Sequence, residues 1–116
     1  MREEYVSRDG LLRFVVEREG DEITLGFDGY PWHTHGDVLV GCYALAGRDG
    51  LTPEQATRLF VSELTESRAV VAVLRVQRAI RDVWVTDDPA AAELQHRRPG
   101  EELAFRRWDA TTCGAG

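Results

Sequence analysis

Leu12, Phe14 and Val16 alternate with Arg13, Val15 and Glu17. After a turn at Glu19-Gly20-Asp21 the alternation resumes, with Ile23, Leu25 and Phe27 set against Thr24 and Gly26. A period of two on both sides of a short polar break predicts a β-hairpin. Asp28-Gly29 is a second turn signal, and the residues from about Tyr30 to Cys42 form a third strand candidate. The N-terminal part of the chain therefore reads as an antiparallel meander.

The period changes after Gly47-Arg48-Asp49-Gly50. Thr52-Pro53-Glu54-Gln55 places threonine at an N-cap, proline at the first helical position and glutamine three residues on, which is a capping box. Ala56, Leu59, Phe60 and Leu64, with Glu63 the one acid among them, recur at helical spacing and predict an amphipathic helix to about Glu66. Val70 to Leu74 is a continuous apolar run suited to a central strand. Ile80 to Thr86 is a second strand, with Val83 and Val85 on one face and Trp84 on the other. Asp88-Pro89 opens a short Ala-rich helix through Gln95, Pro99-Gly100 turns the chain, and a last strand runs from about Glu102 to Trp108.

The order βββ-α-ββ-α-β predicts one α+β domain over residues 1–110, built on a single mainly antiparallel sheet with the main amphipathic helix packed on one face. The small-residue segment 111–116 is expected to be a flexible C-terminal tail. No internal repeat divides the chain, and strand order does not follow from the pattern. Homodimerisation through exposed sheet edges stays open.

Charge narrows the partners. Twenty acidic residues against fourteen basic ones give a net charge of -6, which opposes binding to nucleic acid or to an anionic membrane surface. A cationic protein or small-molecule partner is easier to accommodate. All the basic residues are arginine, and lysine and asparagine are absent, a bias that suggests a GC-rich bacterial origin. The charged start MREEYVSRDG lacks the apolar stretch of a secretory signal, and no window approaches the roughly 18 apolar residues of a membrane span, so a cytoplasmic location is expected. Cys42, ending an apolar run, is expected to be buried, and Cys113 is expected to be an exposed thiol.

The chemistry concentrates in Tyr30-Pro31-Trp32-His33-Thr34-His35-Gly36-Asp37. On a strand, His33, His35 and Asp37 share one face while Tyr30, Trp32, Thr34, Val38, Val40 and Cys42 share the other. The second set is largely apolar and is expected to pack inward. The first set can offer two imidazoles and a carboxylate to zinc or another divalent ion that takes nitrogen and oxygen ligands. HTHGD resembles the opening of the His-x-His-x-Asp-His element of metallo-β-lactamase-type hydrolases, with Val38 where that family has its next histidine. Pro31 through His35 resembles the ligand segment of cupins, without the glutamate that should follow. Neither resemblance brings a complete ligand set, so neither activity is carried over.

Asp88, before Pro89, is expected to cap a helix, and the pairs Arg97-Arg98 and Arg106-Arg107 are expected to be solvated or salt-bridged surface. The chain holds no Gly-x-x-x-x-Gly-Lys loop and no Gly-x-Ser-x-Gly elbow. Cys42 lies too far along a strand from His33 and His35 to form a thiol-imidazole pair. Two function classes follow. One is a binding module, for example an immunity-type inhibitor of a basic toxin, contacting its partner through Trp32, His33 and His35. It predicts a contiguous patch with an aromatic residue on the sheet face that the helix leaves open. The other is a metal-dependent hydrolase or isomerase holding a divalent ion on His33, His35 and Asp37. No cofactor is expected outside that second reading.

Overall fold

The computed structural model describes residues 1–40, 50–96 and 98–113. The elements run β1 (Arg2–Val6), β2 (Arg13–Glu19), β3 (Glu22–Phe27), β4 (His33–His35), α1 (Gly36–Leu39), α2 (Pro53–Thr65), β5 (Val70–Val76), β6 (Ala79–Thr86), α3 (Pro89–Gln95), β7 (Glu101–Arg106) and β8 (Thr112–Cys113). The fold is α+β, but the strands make two antiparallel four-stranded sheets and not one. Sheet A has the order β1-β2-β3-β4 and sheet B the order β6-β5-β7-β8. The reason lies at β4. It has three residues and ends sheet A, and the chain just before it meets β6 of sheet B through a single hydrogen bond from Trp32 N to Asp82 and not through a ladder.

The alternation at Leu12 to Phe27 forms the β2-β3 hairpin as expected, with Val16 opposite Leu25 and Phe14 opposite Phe27. β1 lies in a segment whose charge disguises it. Tyr5 faces Phe14 on the inner side, while Arg2 and Glu4 lie opposite Glu17 and Val15 on the outer side. The expected strand from Tyr30 to Cys42 is cut to His33–His35, and residues from Gly36 turn into α1. A Cβ at Gly36 would lie 3.1 Å from Thr57 Oγ1 and 3.2 Å from the Ile23 side chain. That close approach lets Leu39 bury completely, and it leaves Val38 and Val40, expected inside, at 49% and 37% exposure. Cys42, most of the Gly47–Gly50 loop and Arg97 lie outside the described residues.

The capping box of α2 is formed: Gln55 N donates to Thr52 Oγ1 at 3.1 Å and Thr52 N donates to Gln55 Oε1 at 3.0 Å. The helix buries Ala56, Thr57, Phe60, Val61 and Leu64. Thr57, a polar residue in that stripe, is accommodated because its hydroxyl donates to Pro53 O at 2.8 Å. Arg18, at the end of β2, donates to Glu54 at 3.0 Å and also pairs with Glu3, which pins the first turn of α2 to sheet A. Phe14, Leu25 and Phe27 of sheet A, Phe60 and Leu64 of α2, and Val71, Val73, Val83 and Val85 of sheet B belong to one core cluster.

The other face of sheet B carries a smaller cluster of Ala72, Phe105 and Ala92, the last supplied by α3. The two longer helices therefore sit on different faces, where the sequence suggested one. Asp88 caps α3 as expected, its Oδ1 accepting from Ala91 N at 3.0 Å. Residues 112 and 113, within the segment expected as a tail, pair as β8 with Arg106 and Phe105. No helix among the described residues is long and apolar enough to cross a membrane.

Arg106 departs most from its expected surface role. It is 8% exposed, and its guanidinium donates to Asp9 Oδ2 at 2.6 Å and Oδ1 at 3.3 Å, joining residues 97 apart in the chain. Two further hydrogens go to the carbonyls of Arg107 and Trp108. Asp9 also accepts from Ser7 Oγ and Leu11 N, and Ser7 Oγ accepts from Leu12 N. The β1-β2 turn of sheet A is thus fastened to the end of β7 in sheet B by a bidentate charge pair. The Arg106 guanidinium, then Ser7, hold the Asp9 carboxyl well below the usual carboxylate range.

Asp9→Ala would leave the buried Arg106 without its carboxylate. A loss of about 2–3 kcal/mol is expected in urea unfolding at neutral pH, below the usual cost for a fully buried pair because the Asp9 side chain is 38% exposed. A folded-state pKa below the unfolded one means that the Asp9 contribution is complete above the ordinary carboxylate range and is lost as pH falls towards the folded value. The stability gap between wild type and Asp9→Asn should accordingly narrow on acidification, and a gap that widens would contradict the clamp.

Candidate functional site

With one face of sheet A committed to the core and α3 placed on sheet B, the outer face of sheet A lies open among the described residues. Its residues follow from register. One cross-strand row runs Glu4, Val15, Gly26, His33, and the next runs Arg2, Glu17, Thr24, His35. Arg13, Glu19 and Glu22 extend the same face along β2 and β3.

His33 and His35 emerge side by side, as the alternation predicts, while Thr34 between them is buried. Their ring centroids are 5.3 Å apart with planes at 83°, an edge-to-face contact. His33 Nδ1 lies 3.2 Å from Pro31 O. A carbonyl can only accept, so Nδ1 carries the hydrogen, and in the neutral ring the lone pair is on Nε2. His35 Nδ1 lies 3.4 Å from Thr24 Oγ1.

Asp37 does not join them. The chain has already turned into α1, where Asp37 occupies the first turn. It shares a groove of about 430 Å³ with His35, Asp21, Glu22, Val38 and Pro53, whereas His33 lines a different groove. Among the described residues, no group of three or more His, Cys, Asp or Glu side chains is placed to hold a metal ion. The donor set in place is two imidazoles.

Trp32 packs inward, as the alternation predicts. Its ring packs against the core 6.1 Å from that of Phe27, and its backbone N donates to Asp82 Oδ1 at 3.2 Å, tying the entry of β4 to β6. Its backbone also shapes the open face. A Cβ on Gly26 would lie 2.8 Å from Trp32 O, so β4 can approach β3 closely only because residue 26 is glycine. The missing side chain leaves a groove of about 230 Å³ whose lining includes Val15, Gly26, Tyr30, Trp32 and His33.

Arg2 closes one side of that groove. Its guanidinium meets Glu17 at 2.7 Å, Glu4 at 3.0 Å and Asp28 at 3.5 Å, so it spans β2 from the edge strand to the turn after β3. The bond to Glu4 and the charges of Glu4, Glu17 and Asp28 raise the Arg2 pKa above its ordinary value. Beneath the span Val15 is 8% exposed although it points outward. No aromatic side chain occupies the outward register positions of sheet A, where the binding-module reading expects a patch; the aromatic residues at this face, Tyr30 and Trp32, line the groove instead. Glu4, Glu17, Glu19, Glu22 and Asp28 outnumber Arg2 and Arg13, and the exposed apolar side chain of the two register rows and their extensions is Val6.

Arg2, Glu17, Gly26 and Asp28 were not apparent as site residues from the sequence. The alternation placed Thr24 and Gly26 outward, but which side chains of β1 and β2 stood beside them depended on register. No protein-family model, curated protein or solved structure matches this chain.

Proposed function

We propose that the chain is a binding module that receives a cationic group of a protein or small-molecule partner on the open face of sheet A, over the groove at Gly26. The observation carrying this reading is the face's excess of carboxylates over arginines, beside a glycine-floored groove and a histidine pair. In its neutral form His33 Nε2 adds a hydrogen-bond acceptor to the same rim. An immunity-type inhibitor of a basic toxin is the protein-scale form of this activity. Exposed ion pairs contribute about 0–1 kcal/mol each, so one cation binds weakly and a tight complex needs several contacts across the face.

A short oligo-arginine peptide titrated into the labelled protein is the direct test. Amide shifts should concentrate at Glu17, Thr24, Gly26, His33 and His35, and should weaken between about 20 mM and about 300 mM salt as screening shortens. Glu17→Gln with Asp28→Asn should weaken binding about threefold or more. Shifts spread evenly over every acidic surface would reject the reading.

The edge-to-face imidazole pair favours a second reading. We propose, as the alternative, that His33 and His35 supply nitrogen ligands to zinc or another divalent ion, with Asp37 approaching from α1 and hydrolysis or isomerisation as the chemistry. Calorimetric zinc titration separates a built site from an adventitious pair. A built site predicts near-stoichiometric binding that falls in His33→Ala/His35→Ala and also in Asp37→Ala. Binding unaffected by Asp37→Ala would leave two surface histidines and no ligand set.

A further inference from the structure

Arg2, Arg13, Arg18, Arg58, Arg68 and Arg106 each pair with a carboxylate. Arg78, Arg81 and Arg98 are exposed and, among the described residues, meet none. They gather at one end of sheet B. Val76 pairs with Ala79 across the two-residue loop Gln77-Arg78 that joins β5 to β6. Gln77 N donates to Gly100 O at 3.2 Å, so the loop carrying Arg98 lies against this turn. Arg81 sits where the register shifts, between Ile80 opposite Arg75 and Asp82 opposite Leu74.

The turn is a costly place for arginine. Gln77 and Arg78 have φ of 52° and 72°, the left-handed region that asparagine and glycine adopt with less strain. The apex gives up stability and holds a cation in solvent. The carboxylates at this end have other neighbours: Glu101 meets the His96 ring and Arg98 N, Glu102 lies opposite Arg75, and Asp82 accepts from the backbone N of Trp32 and Val83. The bond from Trp32 also sets this end beside sheet A, because Trp32 lines the groove at Gly26. One chain thus carries an arginine end and a net acidic face as neighbours.

We propose that the cationic partner of the sheet A face is a second copy of this chain. In a two-fold dimer, Arg78, Arg81 and Arg98 of each copy meet the carboxylates around Glu17 and Asp28 of the other, so both surfaces of both copies are used and the contact closes. This rests on the reading of sheet A as a receptor for cations and names its partner. The net charge of -6 on each copy opposes association, and salt screens that repulsion as well as the pairs. Exchange of charges, and not salt, therefore discriminates.

Sedimentation velocity of the full chain up to about 0.5 mM protein in about 150 mM salt tests the dimer. The wild type should shift from monomer to dimer with concentration. Glu17→Arg/Asp28→Arg lowers the net negative charge and should still stay monomeric, as should Arg78→Glu/Arg98→Glu. An equimolar mixture of the two should dimerise again, which also shows that both variants fold. Arg78→Gly relieves the turn, so it should raise stability while weakening association about two- to fivefold. A wild type that stays monomeric, a variant that dimerises alone as the wild type does, or a mixture that stays monomeric would each overturn the proposal. Oligo-arginine peptide should dissociate the dimer. Peptide bound at sheet A of a monomeric wild type would overturn the dimer and leave the cation reading standing, whereas absence of both peptide binding and dimer would reject both.

Discussion

Both sheets of this protein must bury an apolar face, and both bury it in the same core around α2. Phe14, Leu25 and Phe27 from one sheet and Val71, Val73, Val83 and Val85 from the other leave no independent core for either. Neither four-stranded sheet is a stable object without that shared cover, because a small twisted sheet with one wet apolar face gains too little from burial to offset its chain entropy. The Asp9–Arg106 clamp and the Trp32–Asp82 hydrogen bond act on the same seam. They contribute orientation more than driving force, since a charge pair taken out of water returns little net stability.

The allocation of faces decides where function can reside. The inner faces are spent on the core, and the outer face of sheet B carries the small cluster under α3. Among the described residues the outer face of sheet A is left uncovered, in keeping with its composition. Ion pairs across β1, β2 and the turn after β3 tile it, and they shield Val15 from water without making the face apolar. Gly26 interrupts the tiling, and the groove there lies beside His33. A polar, net acidic face with one concavity is suited to selecting a cation by charge and position.

Much of this was legible in the alternation of residues. The β2-β3 hairpin, the α2 capping box, the β5-β6 pair with Trp84 turned away from Val83 and Val85, and the Asp88 cap all follow from local periodicity and local chemistry. The shared face of His33 and His35 follows in the same way. What the sequence hid depends on contacts between distant residues. Arg2–Val6 reads as a charged terminus because its strand is held by pairs with Glu17 and Arg13 that only register reveals. The strand after Tyr30 ends at His35 because Gly36 packs on Ile23 and Thr57, a tertiary contact that also takes Asp37 off the strand face shared by His33 and His35 and into the first turn of α1. Arg106 looks like surface until Asp9, near the other end of the chain, is placed against it.

The central claim is that two separate sheets close on one core, leaving the histidine face of sheet A outside. Nuclear Overhauser contacts measured on the labelled protein test it most directly. The account predicts contacts linking rings among Phe14, Phe27 and Phe60 to methyl groups among Val71, Val73, Val83 and Val85, with the His33 and His35 rings giving contacts to Thr24 and to each other and none to those methyls. Backbone contacts pairing β4 with β6 as neighbours in one continuous sheet, or His33 and His35 rings in contact with the valine methyls, would contradict it.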